Sequence, residues 1–232
     1  MNPRILSGAT LSDNILLAID TCGPAGSVAL GRLTGASVEI LGQIELEGRS
    51  YSSTLIVAVS ELLAQAGTEL RLLHAIVVVS GPGSFTGVRV GLAAVKGLAE
   101  PAQIPVVAVS RLEVLAAKAG IGSAALDAHR KELFLRLSLP GVAGMERLVG
   151  MDELASITPA SEKIAVCDET AAALLATVWP AVQVTRVAAA TAADALRLAL
   201  PRLLAGDFAN LERLDGHYLR RSDAEIFASP IA

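Results

Sequence analysis

Apolar positions change their period along the chain, and the changes predict its elements. Residues 14–22, NILLAIDTC, form an apolar run that ends at Asp20; runs at 26–33 and 37–46 follow after short turns. Such spacing predicts a strand meander. From Ser50 the period becomes helical: Leu55, Val59, Leu62 and Ala66 share a face, Ser50, Ser52 and Ser53 offer caps, and Gly67 offers a stop. AIVVVS at 75–80 is continuous and β-branched, as in a strand covered on both sides. A helix over 84–100, a strand over 105–110 and a helix over 111–120 follow.

The pattern then recurs. SAALDAH at 123–129 again ends an apolar run at an Asp, and 131–140 reads as its partner strand. A weak third strand near 146–150, a short helix over 151–156, a strand over 163–169, a helix over 170–180, a strand over 182–187 and a helix over 191–208 complete the chain. Each half reads β-β-β-α-β-α, which predicts mixed sheets flanked by helices. The proline-bearing, charge-poor stretch 101–121 is the natural boundary. The expected division is an N-terminal extension at 1–13, a first lobe at 14–110 and a second lobe at 111–232. Asp20 and Asp127 then occupy matching positions, each at the end of a first strand.

Composition narrows the chemistry. The 232 residues are 53% hydrophobic, 18% charged and only 3% aromatic, so the core is aliphatic. The net charge is −4 and no Lys/Arg cluster occurs, so phosphate contacts with any RNA are expected to come mainly from partners. No apolar run reaches membrane-spanning length, and the first residues lack a signal-peptide core. Cys22 and Cys167 form no CxxC pair, which suits a reducing, cytoplasmic setting. The three histidines, His74, His129 and His217, form no metal-binding pair in sequence.

Several features carry two readings. Asp20 and Asp127 can hold a hydrated metal beside a phosphate chain, or each can cap its own turn. The glycine-rich stretch SGPGSFTG at 80–87 fails both the Walker A and the Rossmann spacing. The amides of Ser84, Phe85 and Thr86 still suit an anion at a helix start, while the alternative is a tight turn with Ser84 as cap. Small residues Gly87, Gly91 and Ala94 line one face of the following helix, and three glycines in one helix need a compensating close approach. The helix at 50–66 carries more apolar surface than one stripe requires. A partner or the chain's own sheet would satisfy both helices.

Five stretches, ILLAIDT at 15–21, SGPGSFTGVRVGLAAVKGLA at 80–99, IPVVAVSRLEVLA at 104–116, ALDAHRKELF at 125–134 and HYLR at 217–220, together resemble the bacterial TsaB (YeaZ) family. The resemblance covers nearly the whole chain. It implies two RNase H-like lobes of the actin-like ATPase (ASKHA) class, and a role in making threonylcarbamoyladenosine beside tRNA anticodons. It implies a non-catalytic subunit that pairs with and activates the TsaD transferase. The TsaE ATPase joins the pair, a homodimer forms when the chain is alone, and TsaC supplies the activated donor. The implied pairing surface is the first two helices, here Tyr51, Leu55, Val59, Leu62, Gly87, Arg89, Gly91 and Ala94. A bulky replacement of Gly91 is then expected to weaken pairing and spare the fold. Tyr51 departs from a frequent family His. No resident cofactor or metal is implied, though a nucleotide at the partner boundary would fall to Asp20, Ser84, Thr86 and Asp127. The rival expectation is a small ATPase or kinase using Asp20 and Asp127 around Mg-ATP; a peptidase is a third.

Overall fold

The computed structural model describes residues 14–48, 50–139, 142–159 and 162–220; the extension expected at 1–13 lies outside them. The first half contains β1 (Ile15–Asp20), β2 (Ala25–Thr34), β3 (Ser37–Glu47), α1 (Tyr51–Gln65), β4 (Leu73–Val79), α2 (Phe85–Ala102), β5 (Val106–Val109) and α3 (Arg111–Lys118). The second contains β6 (Ala124–Asp127), β7 (Glu132–Leu139), β8 (Val142–Gly150), α4 (Met151–Ser156), β9 (Lys163–Val166), α5 (Glu169–Val178), β10 (Gln183–Arg186) and α6 (Ala192–Ala205).

The first sheet has the order β3-β2-β1-β4-β5, and the second repeats it as β8-β7-β6-β9-β10. In each, the first three strands pair antiparallel and the last two add in parallel. This duplicated order is that of two RNase H-like lobes of the actin-like class. All six residues of β1 are buried, because helices cover both faces of its sheet.

Of two helices at the junction of the lobes, α3 keeps to the division at 110 and α6 does not. α3 lies on the second sheet and packs Leu112, Leu115 and Ala116 against Leu126 and Phe134. α6 crosses to the first sheet and lies over β1 to β5, with Ala195, Leu196, Ala199 and Leu203 in the first core. Polar contacts fix that crossing. Ala192 N–H donates to Ser27 Oγ at 2.8 Å and Ala193 N–H to Gln43 Oε1 at 3.2 Å. Lys118 meets Asp194 at 2.8 Å where the two helices touch. An amphipathic stripe says that a helix needs a sheet, not which one; the expectation that 111–232 forms the second lobe is corrected at α6.

Candidate functional site

The glycine-rich turn is built against the end of β1. The Ser84 N–H donates to Cys22 O at 2.8 Å, and Ser84 Oγ accepts from Gly87 N–H at 3.3 Å, capping α2. A Cβ added at Gly83 would lie 2.2 Å from Cys22 O, one at Gly87 2.1 Å from Thr21 O, and one at Gly91 2.4 Å from Thr21 Oγ1. The Thr21 hydroxyl in turn donates to Gly87 O at 2.7 Å. The small-residue face of α2 therefore rests on the chain's own strand end, which corrects the expectation that Gly87 and Gly91 meet a partner. The Ser84 amide is likewise committed within the chain and is not free for an anion. Thr86 is exposed one residue into the helix.

Asp20 and Asp127 do lie at matching strand ends, and both cap turns. Asp20 Oδ1 accepts from Cys22 N–H at 2.9 Å; Asp127 Oδ1 accepts from His129 N–H at 2.8 Å, with its Oδ2 3.2 Å from His129 Nδ1. The Asp127 N–H donates to Asp168, which also caps α5. Burial pushes the Asp20 carboxyl above its usual range, against the pull of Arg111 and the Cys22 hydrogen bonds. Cys22 is buried, donates to Val79 O at 3.1 Å, and is pushed well above an ordinary thiol by burial and then by Asp20. The Ser84 amide and one oxygen of each aspartate are thus used within the chain's own turns.

α1 turns its strongest stripe inward. Tyr51, Leu55, Val59 and Leu62 are all buried, where they cover β2 and β3. An added Cβ at Gly42 would touch Leu62 at 2.9 Å, and one at Gly26 would touch the Tyr51 ring at 2.8 Å. Those four residues thus belong to the core rather than to a partner surface. The Tyr51 hydroxyl donates to Gly23 O at 2.8 Å, clasping the DTCGPAG turn. Burial, then the Asp20 and Cys22 charges, push the Tyr51 phenol up to about 12. Tyr51→Phe strands a buried carbonyl and is expected to lower unfolding stability by about 1–2 kcal/mol in urea melts.

What α1 leaves outside is Ile56, 47% exposed, and Val57, 64% exposed, among Ser52, Ser53, Ser60 and Ala64, with the exposed Glu61 and Gln65 along the edge one turn from Val57. Beside it, α2 presents the exposed Arg89, Ala93 and Gly97 and the half-buried Ala94. Arg89 is drawn over its own Phe85 ring, 3.9 Å from the centroid.

Sequence patterning missed one cluster altogether. Glu146 on β8 accepts from the Ser110 hydroxyl at 2.6 Å and from Arg136 Nη1 at 2.9 Å, and lies 2.8 Å from His217 Nε2. The His217 N–H donates to Ser80 O at 2.7 Å. One carboxylate thereby joins the second sheet to the start of α3 and to the irregular segment 207–220 that follows α6, the C-terminal strap. His217, isolated in sequence, is paired in space; the HYLR stretch that contains it was the available signal.

Comparison with known proteins fits this architecture. The family model for TsaD, tRNA N6-adenosine threonylcarbamoyltransferase, matches residues 40–138. The tRNA threonylcarbamoyladenosine biosynthesis protein TsaB of Haemophilus influenzae is 38% identical over 117 residues, covering 50% of this chain and 45% of the relative. TsaB of Escherichia coli is 35% identical over 125 residues, covering 51% and 52%. The chain thus spans about half the length of the curated relatives it matches. A solved Pseudomonas aeruginosa protein, described as similar to the peptidase YeaZ, superposes with a TM-score of 0.71 at 29% identity, covering 89% of this chain and 100% of that one. With the repeated sheet order and the GPGSFTG turn seated on β1, the chain is similar in sequence and in fold to TsaB (YeaZ) proteins.

Proposed function

We propose that the chain is a subunit of the apparatus that makes tRNA threonylcarbamoyladenosine, and that it pairs with and activates a TsaD-type transferase without carrying the chemistry itself. The carrying observation is the outer face of α1, where Ile56 and Val57 stand exposed next to α2, with small side chains around them and one charge, Glu61, at the edge. Adjacent large aliphatic side chains on a flat, weakly charged helix pair suit another protein's helices. The pairing surface remains on the two helices expected from the sequence, on their outward rather than inward faces.

The non-catalytic part of the reading is supported by Asp20 and Asp127, each of which has one carboxylate oxygen engaged by an amide of its own turn. It assigns no resident metal or nucleotide to them. The same outer face would serve a homodimer when the transferase is absent, TsaE would join the assembled pair, and the work belongs in the cytoplasm with the tRNA. Among the described residues no helix is long and apolar enough to cross a membrane.

The test is binding of purified TsaD from the same source. The double variant Ile56→Glu, Val57→Glu is expected to weaken pairing by about tenfold or more, with an unchanged circular-dichroism spectrum and melting point. Undiminished pairing and modification activity by that variant would overturn the proposal.

A further inference from the structure

A groove of roughly 590 Å³ runs between α2 and the strap at 214–220, lined on α2 by Phe85, Arg89, Leu92, Ala93 and Lys96. Two of the chain's few aromatic rings meet there: Phe85 and Tyr218 have centroids 4.8 Å apart, with planes tilted by 42°. The Arg89 guanidinium lies over the Phe85 ring at 3.9 Å, so ring and guanidinium form a layered platform. Tyr218 is 36% exposed. Lys96, two turns further along α2, and Arg220, held by Glu132, add positive charge; Asp215 is the acidic residue of the lining. With Glu132 counted, three cations stand against two carboxylates, a local positive excess in a chain whose net charge is −4.

We infer that this groove is a binding subsite for one nucleotide unit of single-stranded RNA, the base stacking on the Tyr218 and Arg89–Phe85 platform and the phosphate meeting Lys96 and Arg220. The chemistry is specific to that class. A flat aromatic ligand uses ring and guanidinium faces, and its attached phosphate uses the flanking cations. An acidic peptide would use the cations but not the stacked platform. Asp215 Oδ1 accepts from its neighbour Gly216 N–H at 2.7 Å, which leaves Oδ2 to accept an exocyclic base N–H. The expectation that partners supply most phosphate contacts stands beside this: the groove fits a single unit, not a helix. The inference rests on the chain's own residues and does not require pairing with the transferase.

The experiment measures fluorescence anisotropy of a short labelled single-stranded RNA titrated with the full chain alone. Binding in the range of about 10–100 µM at low salt is expected, weakening as salt rises. Tyr218→Ala and Lys96→Glu should each raise the dissociation constant by about tenfold, Tyr218→Phe should leave it unchanged, and Lys96→Ala should reduce the salt slope by about one. Lys96 lies on the helix surface, so its variants keep the test valid if Tyr218→Ala loosens the strap. Competition separates the sources of the shared chemistry. Weak displacement by AMP and none by inorganic phosphate supports a strand; AMP binding as tightly as the RNA keeps the subsite and makes a free nucleotide its occupant. No binding at about 0.1 mM chain, or wild-type binding by both Tyr218→Ala and Lys96→Glu, overturns the inference. That failure with normal TsaD pairing would leave the proposed assembly intact, and the converse would leave the subsite.

Discussion

Gly87→Ala should destabilise the fold by about 3 kcal/mol, although the same change in an ordinary helix is favourable by about 1 kcal/mol. The reason is a rigid neighbour. A methyl at Gly87 would stand 2.1 Å from Thr21 O, a backbone atom at the end of β1 that cannot swing aside. α2 must then lift off the strand end, and the Thr21 hydroxyl loses Gly87 O. Gly97 supplies the internal control. It lies ten residues further along the same helix, exposed, with nothing within 4 Å of an added Cβ. Gly97→Ala should stabilise by about 0.5–1 kcal/mol through propensity alone. Urea unfolding of the two variants reads the contrast directly; equal shifts of the same sign would refute the packing argument. Gly91 belongs with Gly87, since its Cβ would sit 2.4 Å from Thr21 Oγ1. Bulky replacements there are expected to damage the fold itself, contrary to the expectation that they spare it.

That reversal marks where a sequence stops being legible. Spacing along a helix shows that residues share a face; it does not show what the face meets. Gly87 and Gly91 were readable as a close-approach stripe, but the approach is to Thr21, 66 residues before Gly87. Leu55, Val59 and Leu62 were readable as a stripe, and the neighbouring β2 and β3 have first claim on it because those strands have a face to cover. The exposed pair Ile56 and Val57 was present in the sequence but looked like the margin of the stronger stripe. The strands fared better. An apolar run ending at Asp20 and its echo ending at Asp127 give the duplication, because buried parallel strands leave a continuous signature that needs no partner to be seen. α6 was legible as a helix and not as a helix that crosses to the first sheet. Glu146 was invisible, because its partners Ser110, Arg136 and His217 stand 36, 10 and 71 residues away.

That cluster yields the other large effect. Glu146→Gln should cost about 3 kcal/mol at neutral pH, because it keeps the shape and removes the charge opposing a buried guanidinium. The Glu146 side chain is 7% exposed and that of Arg136 16%, while Arg136 Nε is buried without a hydrogen-bond partner among the described residues. Arg136 has the Glu146 carboxylate at 2.9 Å and a longer contact of 3.4 Å to Gly144 O, so the carboxylate is its charged partner. Burial alone would raise the Glu146 carboxyl, but hydrogen bonds from His217, Ser110 and Arg136, with the His217 charge, outweigh it and hold the group below its ordinary value of 4.5. The direction fixes the pH dependence. A carboxyl depressed in the folded state contributes stability above its unfolded value, and that contribution is lost as pH falls through the folded value. The gap between wild type and Glu146→Gln should therefore be full at pH 7 and close as pH drops below 4.5, where the protonated wild type comes to resemble the amide. Urea midpoints across that range measure it, and a pH-independent gap would show that packing rather than charge holds the cluster. Because Glu146 joins β8 to Ser110 and to the strap through His217, the variant should also loosen one sheet against the other. Hydrogen exchange should then quicken at His217 N–H, which donates to Ser80 O, before the amides of β1 are affected.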